Sequence, residues 1–518
     1  MKGVVGLLAI CASLSACAPK PVAVIPAAPS GPTPAQRLAD ADNDLQAGCL
    51  DCLTSALKKY EDLRSEPATA RAALSGTVRA AGLLALRELG LGMSDSGYLA
   101  RAKALIAGDD ELEARYGVAL ETLGAKAPRV GRIAPANDSS VDRARLVLQN
   151  RLRWTEWLRA EADGDDFLAA AWVSFACTTA PPSDEARQTL LLAPLVKHRN
   201  APVVRYELAS CASPDVDRLQ ELVMDEARFR EVDYWLGFSQ LRDGNLDRAQ
   251  QTMQRVYDWH PAWPAAASSL GGVMMSGEDF SGALTLYEQA LKLFPGLVDA
   301  LLGRVRALSY LGRADEAIAA ANEFLPTLPS DAYYWRAWNK NQLNDIEGAW
   351  ADVVQAEAIR VTNETAKLAG VIAYRRTQLA TARDRFQAAT RINPNDCESH
   401  FYLGGVEAEL KAWTPSADAY LLASSCMEAE RGGLERQIAA LEASDGDPVR
   451  VARQLANRHA SLDVNLRRTR QAWFNLAAAY YNLQRYSEAR PFAEKLVDDE
   501  QYGERARSLL GYLTRERL

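Results

Sequence analysis

The chain has 518 residues, 48% of them hydrophobic and 24% charged, the balance of a folded protein with ample material for a large core. Its formal charge of −8 argues against a general nucleic-acid binder, which needs a strongly basic face. No apolar stretch approaches the roughly 20 residues of a bilayer span.

The chain opens MKGVVGLLAICASLSACAPKP. Lys2 supplies a positive start, and Gly3 to Ala12 is apolar at a length that suits a signal-peptide core. Leu14-Ser15-Ala16-Cys17 then resembles the bacterial lipobox, in which the thiol receives a diacylglycerol and cleavage leaves the cysteine first. The resemblance implies a signal peptide over 1–16 and lipidation at Cys17. Because Ala18 and not Asp follows, it also implies a place on the outer membrane facing the periplasm, with surface exposure left open. Two or more acyl chains hold a protein at a surface without spanning it. The competing reading is soluble periplasmic export with a chance cysteine. Residues 17–34 carry six prolines behind Cys17 and predict an extended tether.

Residues 35–126 read as helical hairpins, the first over 35 to 65. Cys49-Leu-Asp-Cys52 lies in that first hairpin. A Cys-x-x-Cys at a helix start can lower one thiol pKa and exchange disulfides. Here no thioredoxin-like strand precedes it, and no His follows Cys52 as haem attachment requires, so a local staple or two packed thiols is the plainer account. Residues 127–140 read as a linker, and 141–228 as degenerate hairpins in which Cys177 and Cys211 stand 34 residues apart.

A clear repeat follows. Pro261, Pro295 and Pro329 are 34 residues apart, as are Ala249, Ala283 and Ala317, and Leu236-Gly237 recurs as Leu270-Gly271. This resembles the tetratricopeptide repeat, with its Leu-Gly pair in the first helix, small residue and aromatic in the second, and closing proline. The resemblance implies an all-α solenoid, a right-handed superhelix of helical hairpins. The register continues through Ala351 and Ala358, with Trp335 and Trp338 in the same repeat. It continues again through Gly370, Ala382, Phe386, Ala389 and Pro394, and then Leu403-Gly404, Tyr420 and Ala423. Residues 229–430 therefore form the expected array. Residues 431–469, with Gly432-Gly433 and the turn-rich Ser444 to Pro448, read as an irregular helical connection. Residues 470–518, with Trp473, Leu476, Tyr480 and Ala489 in place, read as a C-terminal repeat.

Beyond Cys11 and Cys17 there are six cysteines, an even number that permits three disulfides in an oxidising compartment. Proximity suggests Cys49–Cys52, Cys177–Cys211 and Cys397–Cys426. In a hairpin the start of the first helix lies beside the end of the second, which suits Cys397 and Cys426. Stacked helices lie about 10 Å apart, so Cys177 and Cys211 need a loop to close the gap.

The residues name no reaction centre. The four histidines are scattered, and there is no phosphate loop. Gly92-Met-Ser94-Asp-Ser96 misses the nucleophile elbow, and Ser55-Ala-Leu-Lys58 lacks its companion motifs. Asp163-Gly-Asp165-Asp166 places its glycine wrongly for a calcium loop. No enzyme, metal or cofactor is expected. The resemblance implies instead a concave groove lined by the first helix of each repeat, where protein or peptide segments lie. Carried over, its lining is Tyr234 and Phe238, Arg306 and Tyr310, Tyr333, Arg336 and Lys340, and Lys367, Tyr374 and Arg375. Basic and aromatic residues there suit an acidic or C-terminal segment; others of them are open to a packing role. The Asn/Lys/Arg carboxylate clamp of chaperone-binding members is not reproduced, so the ligand type stays open. The expectation is a membrane-anchored scaffold for envelope proteins. The alternatives are a glycan- or nutrient-binding lipoprotein, and a thiol oxidoreductase acting through Cys49 and Cys52.

Overall fold

The structure, a computed structural model, describes residues 31–93, 95–125, 139–179, 189, 191–211 and 215–515. Cys17, the signal peptide and most of the expected tether and linker lie outside them. Among the described residues there are helices and no strands, and no helix is long and apolar enough to cross a membrane.

Helix α1 (Pro34–Ala47) starts where Thr33 and Gln36 cap it reciprocally, side chain to backbone N–H in both directions. Gly48, left-handed at φ 73°, turns the chain into α2 (Leu50–Leu63). Then follow α3 (Ala70–Leu91), α4 (Tyr98–Ile106), α5 (Asp110–Ala125), α6 (Ser139–Glu161), α7 (Asp166–Thr179), α8 (Pro202–Ala209) and α9 (Val216–Asp225). Most of the buried side chains of α1 to α7 form one core, and those of α9 join the cluster shared with the array.

Six helical pairs come next. They are α10 (Val232–Arg242) with α11 (Leu246–Trp259), α12 (Pro264–Ser276) with α13 (Phe280–Leu293), and α14 (Val298–Tyr310) with α15 (Ala314–Phe324). They continue with α16 (Pro329–Gln342) and α17 (Ile346–Ile359), α18 (Asn363–Arg375) and α19 (Leu379–Ile392), and α20 (Cys397–Glu409) and α21 (Trp413–Glu442). Several second helices start at an Asn or Asp whose side chain accepts the N–H three residues on, as at Asn245, Asp279 and Asp345. Ala249, Ala283, Ala317, Ala349, Ala382 and Ser416 are fully buried where the helices cross. Gly303 shows why the first helix needs a small residue: a Cβ there would meet the Tyr287 ring at 2.3 Å.

The fourth pair corrects the sequence register. Ala351 and Ala358 are exposed; the buried positions are Ala349 and Ala356. Pro326 and Pro329 are the cause. They stop α15 at Phe324 and start α16 at once, which shortens the connection.

The expected irregular stretch is also regular. Helix α21 runs straight through Gly432-Gly433 to Glu442, and α22 (Pro448–Asn482) spans 35 residues. The two pack along each other, and that support lets helix persist through two glycines. The end of α22 pairs with α23 (Tyr486–Glu494), and α24 (Gly503–Arg515) closes the chain.

The six cysteines pair as Cys49–Cys52, Cys177–Cys211 and Cys397–Cys426, with Cα separations of 4.9, 5.8 and 5.4 Å. Cys211 lies beyond the end of α8, so a loop closes the gap to Cys177.

The N-terminal helices and the array share a core. Cys49, Cys52, Leu91 and Tyr206 cluster with Trp235, Met253 and Trp263. The Trp263 indole N–H donates to the Leu91 carbonyl at 2.8 Å. At the centre Arg87 pairs with Glu231, the two side chains 2% and 0% exposed. Glu231 also accepts the Leu50 N–H at 2.9 Å, Arg87 donates to the Gly48 carbonyl at 3.2 Å, and its guanidinium lies 3.6 Å over the Tyr206 ring. Two buried charges are tolerable here because each is paired and further hydrogen-bonded.

Candidate functional site

The first helices of successive pairs touch one another, and the second helices make no comparable contact. Crowding on one side and spread on the other makes the first-helix side concave. A binding surface on the array is built there from the first helices and the turns beside them.

The structure sorts the sequence-predicted lining residues into three groups. Tyr234 is fully buried, packed on Trp263 with ring centroids 4.5 Å apart, its hydroxyl 3.2 Å from that of Ser269. Burial raises the Tyr234 hydroxyl well above its ordinary pKa. It is a core residue, and its place in the groove list is corrected. The long apolar neighbour Trp263 draws the ring inward.

Most of the basic residues are held by acids and amides of this chain. Arg336 reaches Asp352 at 2.8 Å through Nε and Asn322 at 2.6 Å, and Lys340 reaches the same Asp352 at 2.8 Å. Burial alone would raise Asp352, but hydrogen bonds from Arg336 and Lys340 outweigh it and hold the carboxyl below its ordinary range. Tyr333 lies beneath the Arg336 guanidinium, 5.2 Å from ring centre to carbon. Lys367 reaches forward to Asp396 at 3.4 Å and Glu398 at 3.3 Å in the next pair. Tyr374 donates to Glu409, also of the next pair, and Arg375 reaches back to Asn341 and Asn344 at 2.7 and 2.6 Å. Asp352 ties the two helices of one pair, while Arg336 through Asn322, Lys367, Tyr374 and Arg375 staple repeat to repeat.

A third group is open. Phe238 is 38% and Tyr310 49% exposed, and Arg306, one turn before Tyr310, is exposed as well. Tyr310 stacks on Phe280 at 4.9 Å and meets Trp335 edge-on at 6.1 Å; Trp335 in turn meets Trp338 at 6.0 Å. Phe280 was not legible as a site residue. It opens a second helix, and only the fold brings it against a residue 30 positions on. The surface that results is a partly exposed aromatic band across three repeats with Arg306 beside it. It can stack on flat or apolar groups and hold a carboxylate. It offers no nucleophile or acid–base pair.

Among the described residues no group of three or more His, Cys, Asp and Glu side chains is arranged to hold a metal ion. Cys49 and Cys52 are both buried, Cys49 capping α2 by accepting the Cys52 N–H at 3.0 Å. An incoming thiol would meet a disulfide buried beside the junction around Arg87.

Comparison with known proteins agrees with this geometry. The tetratricopeptide repeat family matches residues 231–261, 274–339 and 471–498. The chain contains tetratricopeptide repeats. It is similar to the cellulose synthase operon protein C of Pseudomonas fluorescens (strain SBW25), 27% identical over 203 residues, or 36% of this chain and 16% of that protein. The chain thus matches only a small part of that relative's length. Among solved structures, a thermophilic tetratricopeptide repeat protein of Thermus thermophilus, TTC0263, is 17% identical over 34% of this chain and 98% of its own, with a TM-score of 0.31. One chain of the Cut9–Hcn1 hetero-tetramer of the APC/C is 15% identical over 93% of this chain and 97% of its own, with a TM-score of 0.38.

Proposed function

We propose that this chain is a non-enzymatic scaffold, a lipoprotein anchored at Cys17 to the outer membrane on its periplasmic side, whose array holds other envelope proteins. The observation that carries the scaffold reading is the partly exposed aromatic band of Phe280, Tyr310, Trp335 and Trp338 with exposed Arg306 beside it. The likeness to a protein named for a cellulose synthase operon is compatible with this reading. The same name, with the aromatic band, favours glycan binding as a second reading. Against it, Phe280 and Tyr310 stack on each other and so use one ring face each.

The test is affinity capture from gently solubilised envelopes, with the parent chain beside an Arg306→Glu/Tyr310→Ala variant. Arg336 and Lys340 are unsuitable for this purpose, because changing them strands the buried Asp352. Envelope proteins retained by the parent and lost by the variant support the scaffold. Identical eluates, together with cello-oligosaccharide binding that the variant loses, support the glycan reading. Separately, Cys17→Ser is expected to move the protein from the membrane to the soluble fraction; unchanged membrane association removes the anchor.

A further inference from the structure

Helix α22 touches the array at two places far apart in sequence. Along its second half Ala472, Leu476, Ala479 and Tyr480 share a core with Ala417 and Tyr420 of α21, and Arg468 pairs with Glu398 of α20 at 2.8 Å. At its start the chemistry is different. Arg450, Arg453, Asn457 and Arg458 stand at i, i+3, i+7 and i+8, one face of a helix. That face meets the first two repeats. Arg450 pairs with Asp247 in the first turn of α11. Arg453 lies 3.4 Å from Asp279, and Arg458 2.7 Å from Glu278, both in the turn between α12 and α13. Asn457 donates to Glu278 at 2.5 Å, and the Asp447 N–H to Asp247 at 3.3 Å.

No residue of α22 belongs to the buried apolar clusters of those two repeats, and ion pairs and hydrogen bonds join them. Glu278 itself sits at φ 62°, the left-handed turn position that Gly244 and Gly312 fill in neighbouring repeats. From Arg450 to Arg468 the helix rises about 27 Å at about 1.5 Å per residue. This one straight rod joins the first repeats to the sixth, while the chain between them passes through all the intervening hairpins.

We propose that the start of α22 is an electrostatic clasp: its arginine face grips the acidic turns of the first two repeats, closes the array on itself and thereby sets the curvature of the concave first-helix face. The rest of the molecule does not need the clasp. The first two repeats hold their own core with the N-terminal helices, and the second half of α22 holds its core with α21. Releasing the arginines frees one end of the rod and leaves both cores intact, so the array opens without unfolding.

The experiment is small-angle scattering with far-UV circular dichroism on the full chain, on Arg453→Glu/Arg458→Glu, and on that variant with Glu278→Arg and Asp279→Arg added. The expected result is a larger radius of gyration for the double variant at unchanged helix content, and return to the parent radius when the acids are reversed. A double variant as compact as the parent overturns the proposal, as does a reversed-charge chain that stays open. Should the double variant lose helix content, the milder Arg458→Ala decides in the same way: a larger radius supports the clasp and an unchanged one refutes it.

Discussion

Two contacts reach the first tetratricopeptide repeats from far along the chain, and they are built from opposite materials. The N-terminal one buries Arg87 against Glu231 inside a core of Tyr206, Trp235 and Trp263. The C-terminal one lays half-exposed Arg453 and Arg458 on Asp279 and Glu278, with Arg450 buried against Asp247 at its end, and shares no apolar cluster with those repeats. In the first, each charge is out of water and depends on its partner. In the second, water reaches Arg453 and Arg458 and can replace either at smaller cost. The same pairing chemistry makes a permanent joint in one place and a releasable one in the other, and burial is what separates them.

Arg87→Ala should have the largest effect, a loss of about 3–5 kcal/mol, because Glu231 is then buried without its cation. Urea melts measure this, and a loss below about 1 kcal/mol would equate the joint with the clasp and collapse the comparison.

Glu88, next in α3, sharpens the point by lacking a guanidinium. It is buried beside the Ser96 N–H at 3.4 Å, and burial pushes its carboxyl up to about 7 from 4.5. Between those values the unfolded chain has released the proton and the folded chain keeps it, so stability falls as pH rises from about 4.5 to about 7. Glu88→Gln should therefore stabilise by up to about 3 kcal/mol at pH 8 and by nothing near pH 4. Equal melts of the two chains at both pH values would mean that the carboxylate is solvated.

Gly303→Ala tests packing at a place neither contact touches. The Tyr287 ring has to move, at a cost of about 1–3 kcal/mol. An unchanged melting midpoint would show that the ring yields freely. Arg458→Ala should cost least, below about 1 kcal/mol, and less still in about 1 M salt, where the Debye length is about 3 Å. A cost as large as that of Arg87→Ala would place the arginine in a true core.

Much of the fold was readable. Leu-Gly pairs, Ala249, Ala283 and Ala317 and the spaced prolines report packing between neighbours in sequence, and such packing must repeat with the chain. The register slipped at Ala351 because Pro326 and Pro329 shorten one connection, an aperiodic event that a fixed period cannot show. The site was less readable. Tyr234 and Tyr310 look alike in sequence, yet one is buried under Trp263 and the other stacks on Phe280 in the open. Lys367 and Arg375 look like free cations, yet each is taken up by a neighbouring repeat.

Hairpins and their stacking can be read along the chain, because they follow from contacts within a few turns or one repeat. Which charges are buried, which staple and which clasp depends on packing between distant parts of the chain. Arg87 and Glu231 are 144 residues apart, and Arg450 and Gln250 200 apart. No period connects such pairs, and an arginine reads the same whether water, a turn or a core surrounds it.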